Sequence, residues 1–343
     1  MESVYYKQSG KVPATFIPVF LVLMAIAIPV LSTIYIYLIY YIPLIYFNFL
    51  VTAGCGIALG FVAGHAAKIG KARNAFVVAL CTLAAMVFMK YVQWAVYIPL
   101  VFVDRYGLLN IPFAERFIDS WYLIRHPAVL LDDARFINYV GVWGIGANPT
   151  APVTGTMLLV VWVGEFIVMT VAALIVAVDK IKVPFSEESN AWYTESSESV
   201  ELDIPEDFEA LQGEMERGNF AGFIERVRAG RTNELVFLRL AIYQPPDTSG
   251  SEPFFLTAQQ HTTTESGRKK KKQQTKVEDL FTRMAVDGKI INEILEASAP
   301  WSPPSEGEYA NDALSGNEDT VGKETQINID ENQNDENQND ENR

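Results

Sequence analysis

Between Lys11 and Lys68 the chain has no Asp, Glu, Lys or Arg for 56 residues, although the 343-residue protein carries a formal charge of −14. At about 1.5 Å of helical rise per residue this run is too long for one crossing of a hydrocarbon core of about 30 Å, and long enough for two. The absence excludes a soluble first half and implies an integral membrane protein. Cysteine is nearly absent as well. Cys55 and Cys81 are the whole complement, both inside apolar stretches, which excludes a disulfide framework or a thiolate cluster for metal. Histidine is limited to His65, His126 and His261, far apart in sequence. Gly-x-Ser-x-Gly, His-Glu-x-x-His and Walker-type motifs do not occur. His126 with Asp132 and Asp133 is the nearest approach to a metal or catalytic set; the competing reading is a His-Pro helix start beside solvated acids. Neither an enzyme nor a cofactor is expected.

What is present divides near Asp179 into an apolar first half and a polar, acidic second half. Four spans are expected, at about 16–40, 49–65, 75–103 and 156–178, within a transmembrane domain of residues 1–182. The first is read as an uncleaved span kinked by Pro18 and Pro29, since an apolar run follows the small-residue site at Ala25-Ile26-Ala27. Gly56, Gly60 and Gly64 form two overlapping small-xxx-small repeats, which let helix backbones approach closely, within the bundle or between copies. Basic residues gather before the first span (Lys7, Lys11), between the second and third (Lys68, Lys71, Arg73) and after the fourth (Lys180, Lys182). The positive-inside rule then puts both termini in the cytoplasm and residues 104–155 outside. That outer segment has helical apolar spacing. Phe113, Phe117, Trp121 and Ile124 make one stripe, and Pro127 opens a second helix, so interfacial or bundle-capping helices are expected at 111–140.

Lys90 and Glu165 are the costly residues in this scheme. A charge near the middle of a span costs about 2.5–3.5 kcal/mol on insertion scales, so it tends to be paired, to snorkel, or to serve function. Both fall in the outer half of their spans within a turn or two of each other, and Gln93 lies one turn beyond Lys90. One reading is a salt bridge that fixes the packing of spans three and four, or a snorkelling Lys90 with a neutral Glu165. Another is a proton- or ion-coupled site, and the last is no contact between the two.

Residues 183–299 have the composition of a small α+β cytoplasmic domain: helices at 206–215 and 220–229, a hairpin of strands at 234–243 and 253–259, and short closing helices at 277–286 and 289–296. Its first segment, Pro184-Phe185-Ser186-Glu187-Glu188-Ser189-Asn190-Ala191-Trp192, resembles the Pro-Phe-Cys-x-x-Cys-x-x-Trp knuckle of uncharacterised bacterial multi-span membrane proteins with a zinc-ribbon-like cytoplasmic domain. The resemblance implies a second Cys-x-x-Cys in the hairpin turn, near residues 245–249. Here Ser186 and Ser189 stand at the thiolate positions and the turn has no cysteine. A domain that has lost its metal is implied, because serine hydroxyls do not hold structural zinc.

Arg268, Lys269, Lys270, Lys271 and Lys272 are consecutive basic residues in an acidic background. They form either a solvated turn or a contact to anionic headgroups, worth about 1 kcal/mol per basic residue near the surface. No stacking aromatics interleave with them, so nucleic acid is not an expected partner. Residues 300–343 are Pro-, Ser-, Asn- and acid-rich and are expected to form a disordered tail. The leading expectation is a non-catalytic scaffold of the cell (inner) membrane, presenting a cytoplasmic domain to an unknown protein partner or to lipid. The alternative is a small transporter or channel-like bundle using Lys90, Gln93 and Glu165.

Overall fold

Uninterrupted apolar sequence makes long helices here, and their ends fall where glycine, proline or charge returns. The computed structural model describes residues 4–42, 45–105, 113–141, 152–247, 252–266 and 272–298. The expected tail at 300–343 lies outside the described residues, as do Arg268, Lys269, Lys270 and Lys271. The first part of the chain is helical: α1 (Phe16–Tyr41), α2 (Ile45–Ile69), α3 (Ala75–Arg105), α4 (Phe113–Arg125), α5 (Pro127–Val140) and α6 (Gly155–Lys180). Of these, α1, α2, α3 and α6 are long and apolar enough to cross a membrane. α1 continues through Pro29, whose ring removes one backbone donor, and the Thr33 hydroxyl donates to the Pro29 carbonyl at 2.8 Å.

The four long helices form a ring in which α1 adjoins α2, α2 adjoins α6, α6 adjoins α3 and α3 adjoins α1. Phe16, Ile28, Leu59, Met86, Met89 and Ala173 are buried in its centre. Leu21, Val22, Ile26, Val30 and Ile34 on α1 are exposed, as are Val160, Val163, Ile167 and Val171 on α6. An apolar surface of this kind around an apolar interior is what a lipid environment requires.

At the ring's distal end, away from the polar region, α4 and α5 pack on α3. Leu123, Leu130 and Ile137 are buried against Ala95, Ile98 and Val101. The Tyr91 hydroxyl donates to the carbonyls of Leu123 (3.2 Å) and Ile124 (2.8 Å), tying the α4–α5 break to the middle of α3. The expected stripe is only partly the packing face. Phe117 and Trp121 are 64% and 48% exposed. The amphipathic pair therefore buries one apolar row on α3 and leaves an aromatic row uncovered.

The polar part contains β1 (Phe185–Ser186), β2 (Ala191–Trp192), β3 (Thr194–Glu195), β4 (Val200–Leu202), α7 (Phe208–Glu216), α8 (Ala221–Ala229), β5 (Val236–Gln244), β6 (Phe254–Ser266), β7 (Lys272–Val286) and α9 (Gly288–Ala297). β1 and β2 pair antiparallel; β5, β6 and β7 form an antiparallel meander, with β3 and β4 both paired to β5. Leu238, Leu240 and Ile242 alternate inward on β5, and the core is completed by Phe208, Phe223, Val227, Ile291 and Ile294 from the three helices.

One element departs from the sequence expectation: the proposed closing helix at 277–286 is the second half of β7. Leu256 faces Met284, Ala258 faces Phe281 and Gln259 faces Asp279, so β7 carries an extra residue in each of two successive intervals. The first of these bulges places Phe281 and Met284, three apart, on the same buried face. That is helical spacing produced by a strand. Arg283 inside the first bulge has φ +57°.

Candidate functional site

The level of Lys90 along α3 and of Glu165 along α6 is the same: each lies fifteen residues, or about 22 Å, from the end of its helix nearer the polar domain. Lys90 Nζ is 3.8 Å from Glu165 Oε2. This is ion-pair distance without a direct hydrogen bond. Their side chains keep 20% and 25% exposure, so the pair sits at a seam between the two helices and is not sealed in the ring's centre. Gln93 is fully buried one turn away. Its Nε2 donates to Met169 Sδ at 3.5 Å, while its Oε1 and the nearby Thr170 hydroxyl have no hydrogen-bond partner among the described residues. Buried acceptors without partners are uncommon, and water or an ion is the usual remedy. Sequence reading picked out the three charged and amide residues because such groups are rare in apolar runs. It passed over Tyr35 of α1 and Thr52 of α2, both buried, whose hydroxyls are 3.3 Å apart. Uncharged hydroxyls are common in spans and carry no such signal.

The glycine stripe lies against α6. A Cβ on Gly56 would meet the Met169 carbonyl oxygen at 2.2 Å, one on Gly60 the Ala173 oxygen at 2.4 Å, and one on Gly64 the Lys180 Cβ at 2.7 Å. Backbone contact between α2 and α6 at this distance is available only to glycine.

A third constellation was not foreseen as a unit. The N-terminal segment, the α2–α3 connector and the β1–β2 knuckle interlock where the ring meets the mixed domain. Tyr5 bridges Met284, Tyr6 N donates to the Arg283 carbonyl (2.9 Å) and Ala285 N to the Val4 carbonyl (2.7 Å), which adds the segment to the free edge of β7. Arg73 N donates to the Lys11 carbonyl (2.9 Å), and Trp192 Nε1 to the Lys68 carbonyl (2.9 Å). The buried Arg73 guanidinium lies 4.1 Å from the Phe185 ring centre, with Nε 3.3 Å from Glu187 Oε1; Lys11 Nζ is 3.0 Å from Glu187 Oε2.

Within the knuckle, Ser189 donates to Ser186 Oγ through both its backbone N–H (2.9 Å) and its hydroxyl (2.6 Å), and Ser186 in turn donates to Glu252. The two residues at the thiolate positions thus bond each other and a carboxylate from the end of the hairpin turn. Neutral hydroxyls satisfied in this way do not fit structural zinc. The cluster itself ties knuckle to turn. Among the described residues no three His, Cys, Asp or Glu side chains are grouped to hold a metal ion.

The Ser9 hydroxyl holds the Glu187 carboxyl below its usual range, aided by Lys11 and Arg73 and opposed by partial burial. A carboxylate with a lowered folded pKa contributes stability above its ordinary value of 4.5, and loses it as pH falls through the lower one. Acidification through the range below that ordinary value should therefore raise hydrogen exchange in residues 185–192. Glu187→Gln should show the raised exchange already at neutral pH, with little further change on acidification; an unaltered acid response in that variant would remove Glu187 from this role.

Lys272 opens β7, whereas the remainder of the basic run lies outside the described residues. Comparison with protein-family models, with curated proteins and with solved structures finds no match for this chain.

Proposed function

We propose that the chain is a multi-pass membrane protein, non-catalytic, that holds its α+β domain at a fixed attitude on the cytoplasmic face of the cell (inner) membrane for a protein partner. The observation that carries this reading is the interlock of N-terminal segment, connector and knuckle. A domain seated through Arg73, Glu187 and Trp192 is not a tethered passenger; its orientation to the bilayer is set by the spans. The shared β7 edge also supports the topology. A segment before α1 and one after α6 that pair in one sheet lie on the same side of a membrane, which four spans satisfy and three or five do not. The basic residues flanking the proximal helix ends make that side cytoplasmic. Exposed Leu235, just ahead of β5, and Val277 on β7, with the Phe237–His261 stack at 5.0 Å across β5 and β6 between them, supply an apolar surface suited to a protein rather than to nucleic acid.

A photo-crosslinking residue at Val277, introduced into the full chain in cells, should give a discrete adduct that is missing when the same residue stands at exposed Glu198. Identical patterns from both positions would argue against a partner at this face. A second reading, an ion- or proton-coupled bundle, is favoured by the unpartnered Gln93 Oε1 and Thr170 hydroxyl near the Lys90–Glu165 pair.

A further inference from the structure

Where α2, α6 and the sheet meet there is a cavity of about 250 Å³. It is smaller than the roughly 300–1,000 Å³ of sites for drug-sized ligands, which suits a single small charged group. Its walls are unusually cationic for an acidic protein: Lys68 from α2, Lys180 from the end of α6, Lys182 just beyond it, and Arg283 from β7, against Asp179 and Glu195. Lys182 is paired with Asp179 at 3.2 Å. Lys68, Lys180 and Arg283 have no carboxylate at ion-pair distance among the described residues.

Each of these three cations is held there by its backbone or stem. The Lys180 stem lies across Gly64, where any Cβ would collide with it, and its ammonium sits 4.6 Å from the centre of the exposed Phe61 ring. Lys68 is fixed by its own carbonyl, which accepts from Trp192 Nε1, and its ammonium lies 6.0 Å from the Trp192 ring centre. Arg283 occupies the left-handed region, φ +57°, which costs a non-glycine residue on the order of 1 kcal/mol. Its N–H is committed to Thr257 Oγ1 (3.0 Å) and its carbonyl to Tyr6 N (2.9 Å), so the bulge fixes the backbone. Strain at a bulge that re-aims a charged side chain is characteristic of functional positions. Like charges lining one cavity oppose folding to the extent that anions do not offset them.

We infer that this cavity binds a phosphate group, with Arg283, Lys180 and Lys68 as its donors. Arginine offers paired N–H groups to phosphate oxygens, and the two ammonium groups balance the charge. Lys180 beside the exposed Phe61 ring points to an anionic lipid headgroup as the source, a position at which basic pockets next to helix ends collect such lipids. Phosphate in solution has the same chemistry. The inference goes beyond the scaffold reading and does not depend on a protein partner.

The test uses the full-length protein in nanodiscs of phosphatidylcholine, of phosphatidylcholine with phosphatidylglycerol, and of phosphatidylcholine with added inorganic phosphate, reading the thermal midpoint. A bound anion raises the midpoint by mass action. Phosphatidylglycerol is expected to raise it. If inorganic phosphate alone does so, the site stands and its source is soluble. Arg283→Gly relieves the left-handed strain, so it should be no less stable than the parent in phosphatidylcholine, yet bind the anion about tenfold more weakly. Lys180→Gln should weaken binding similarly, whereas a variant with Gln at 268–272 should keep the full response. Native mass spectrometry counting phosphatidylglycerol retained per protein gives an independent reading. No midpoint change with either anion, a response unchanged in Arg283→Gly, or a response lost with the 268–272 variant would each overturn the inference.

Discussion

Gly60→Ala is expected to cost about 3 kcal/mol of stability, and Gly56→Ala at least as much. Their added methyl carbons would stand 2.4 Å and 2.2 Å from backbone carbonyl oxygens of α6, distances that only a shift of one helix can relieve. A flexible side chain could move aside; the Ala173 and Met169 carbonyls belong to a helix that is itself packed on α3. Gly54 is the internal control, since a Cβ there meets nothing within 4 Å. Gly54→Ala should be neutral or stabilising by up to about 1 kcal/mol through helix propensity. Denaturant titration of the detergent-purified protein, followed by tryptophan fluorescence, reads all three. Equal losses at Gly54 and Gly60 would mean that the α2–α6 contact is not what the glycines serve.

The second large effect concerns Lys90 and Glu165. Removing one partner of a buried pair leaves the other uncompensated, typically at about 3–5 kcal/mol, and their partial exposure at the seam places the expected loss near the lower figure. Lys90→Ala and Glu165→Ala should each destabilise to that extent. The double replacement should cost less than either alone, and the exchange Lys90→Glu with Glu165→Lys should be tolerated if the pair serves packing. A double variant no more stable than the worse single one would contradict the pairing. Solute flux into proteoliposomes gives the other reading its chance. A flux abolished by Glu165→Gln, in protein whose stability is little changed, would favour ion coupling over packing.

How much was legible in the sequence depended on distance along the chain. The long helices followed from composition, and their ends moved by only a few residues: α2 begins at Ile45 rather than near Phe49, and α3 runs to Arg105. The proximity of Lys90 and Glu165 followed from counting rise along two antiparallel spans. β7 was misread because Val277, Leu280, Phe281 and Met284 mimic a helical face, an accident of two bulges that local spacing does not reveal. The partner of the glycine stripe could not be chosen, since small residues invite any close neighbour. The phosphate cavity draws Lys68, Lys180 and Arg283 from three distant elements. Nothing local to any one of them announces the others. Arg73 read as one of several orienting charges, yet it is buried against Phe185, because the knuckle that covers it is more than a hundred residues downstream.

The pairing of Val4 to Tyr6 with β7 joins a segment made before α1 to the last strand of the sheet. Until residues 283–285 emerge, Val4 to Tyr6 has no strand to join, so the seam closes after all four long helices have been made. Between its own synthesis and that closure the edge of β7 is a bare template of the kind that recruits neighbouring chains. Removing Val4 to Tyr6 would therefore unseal a domain whose sheet is built from residues far downstream.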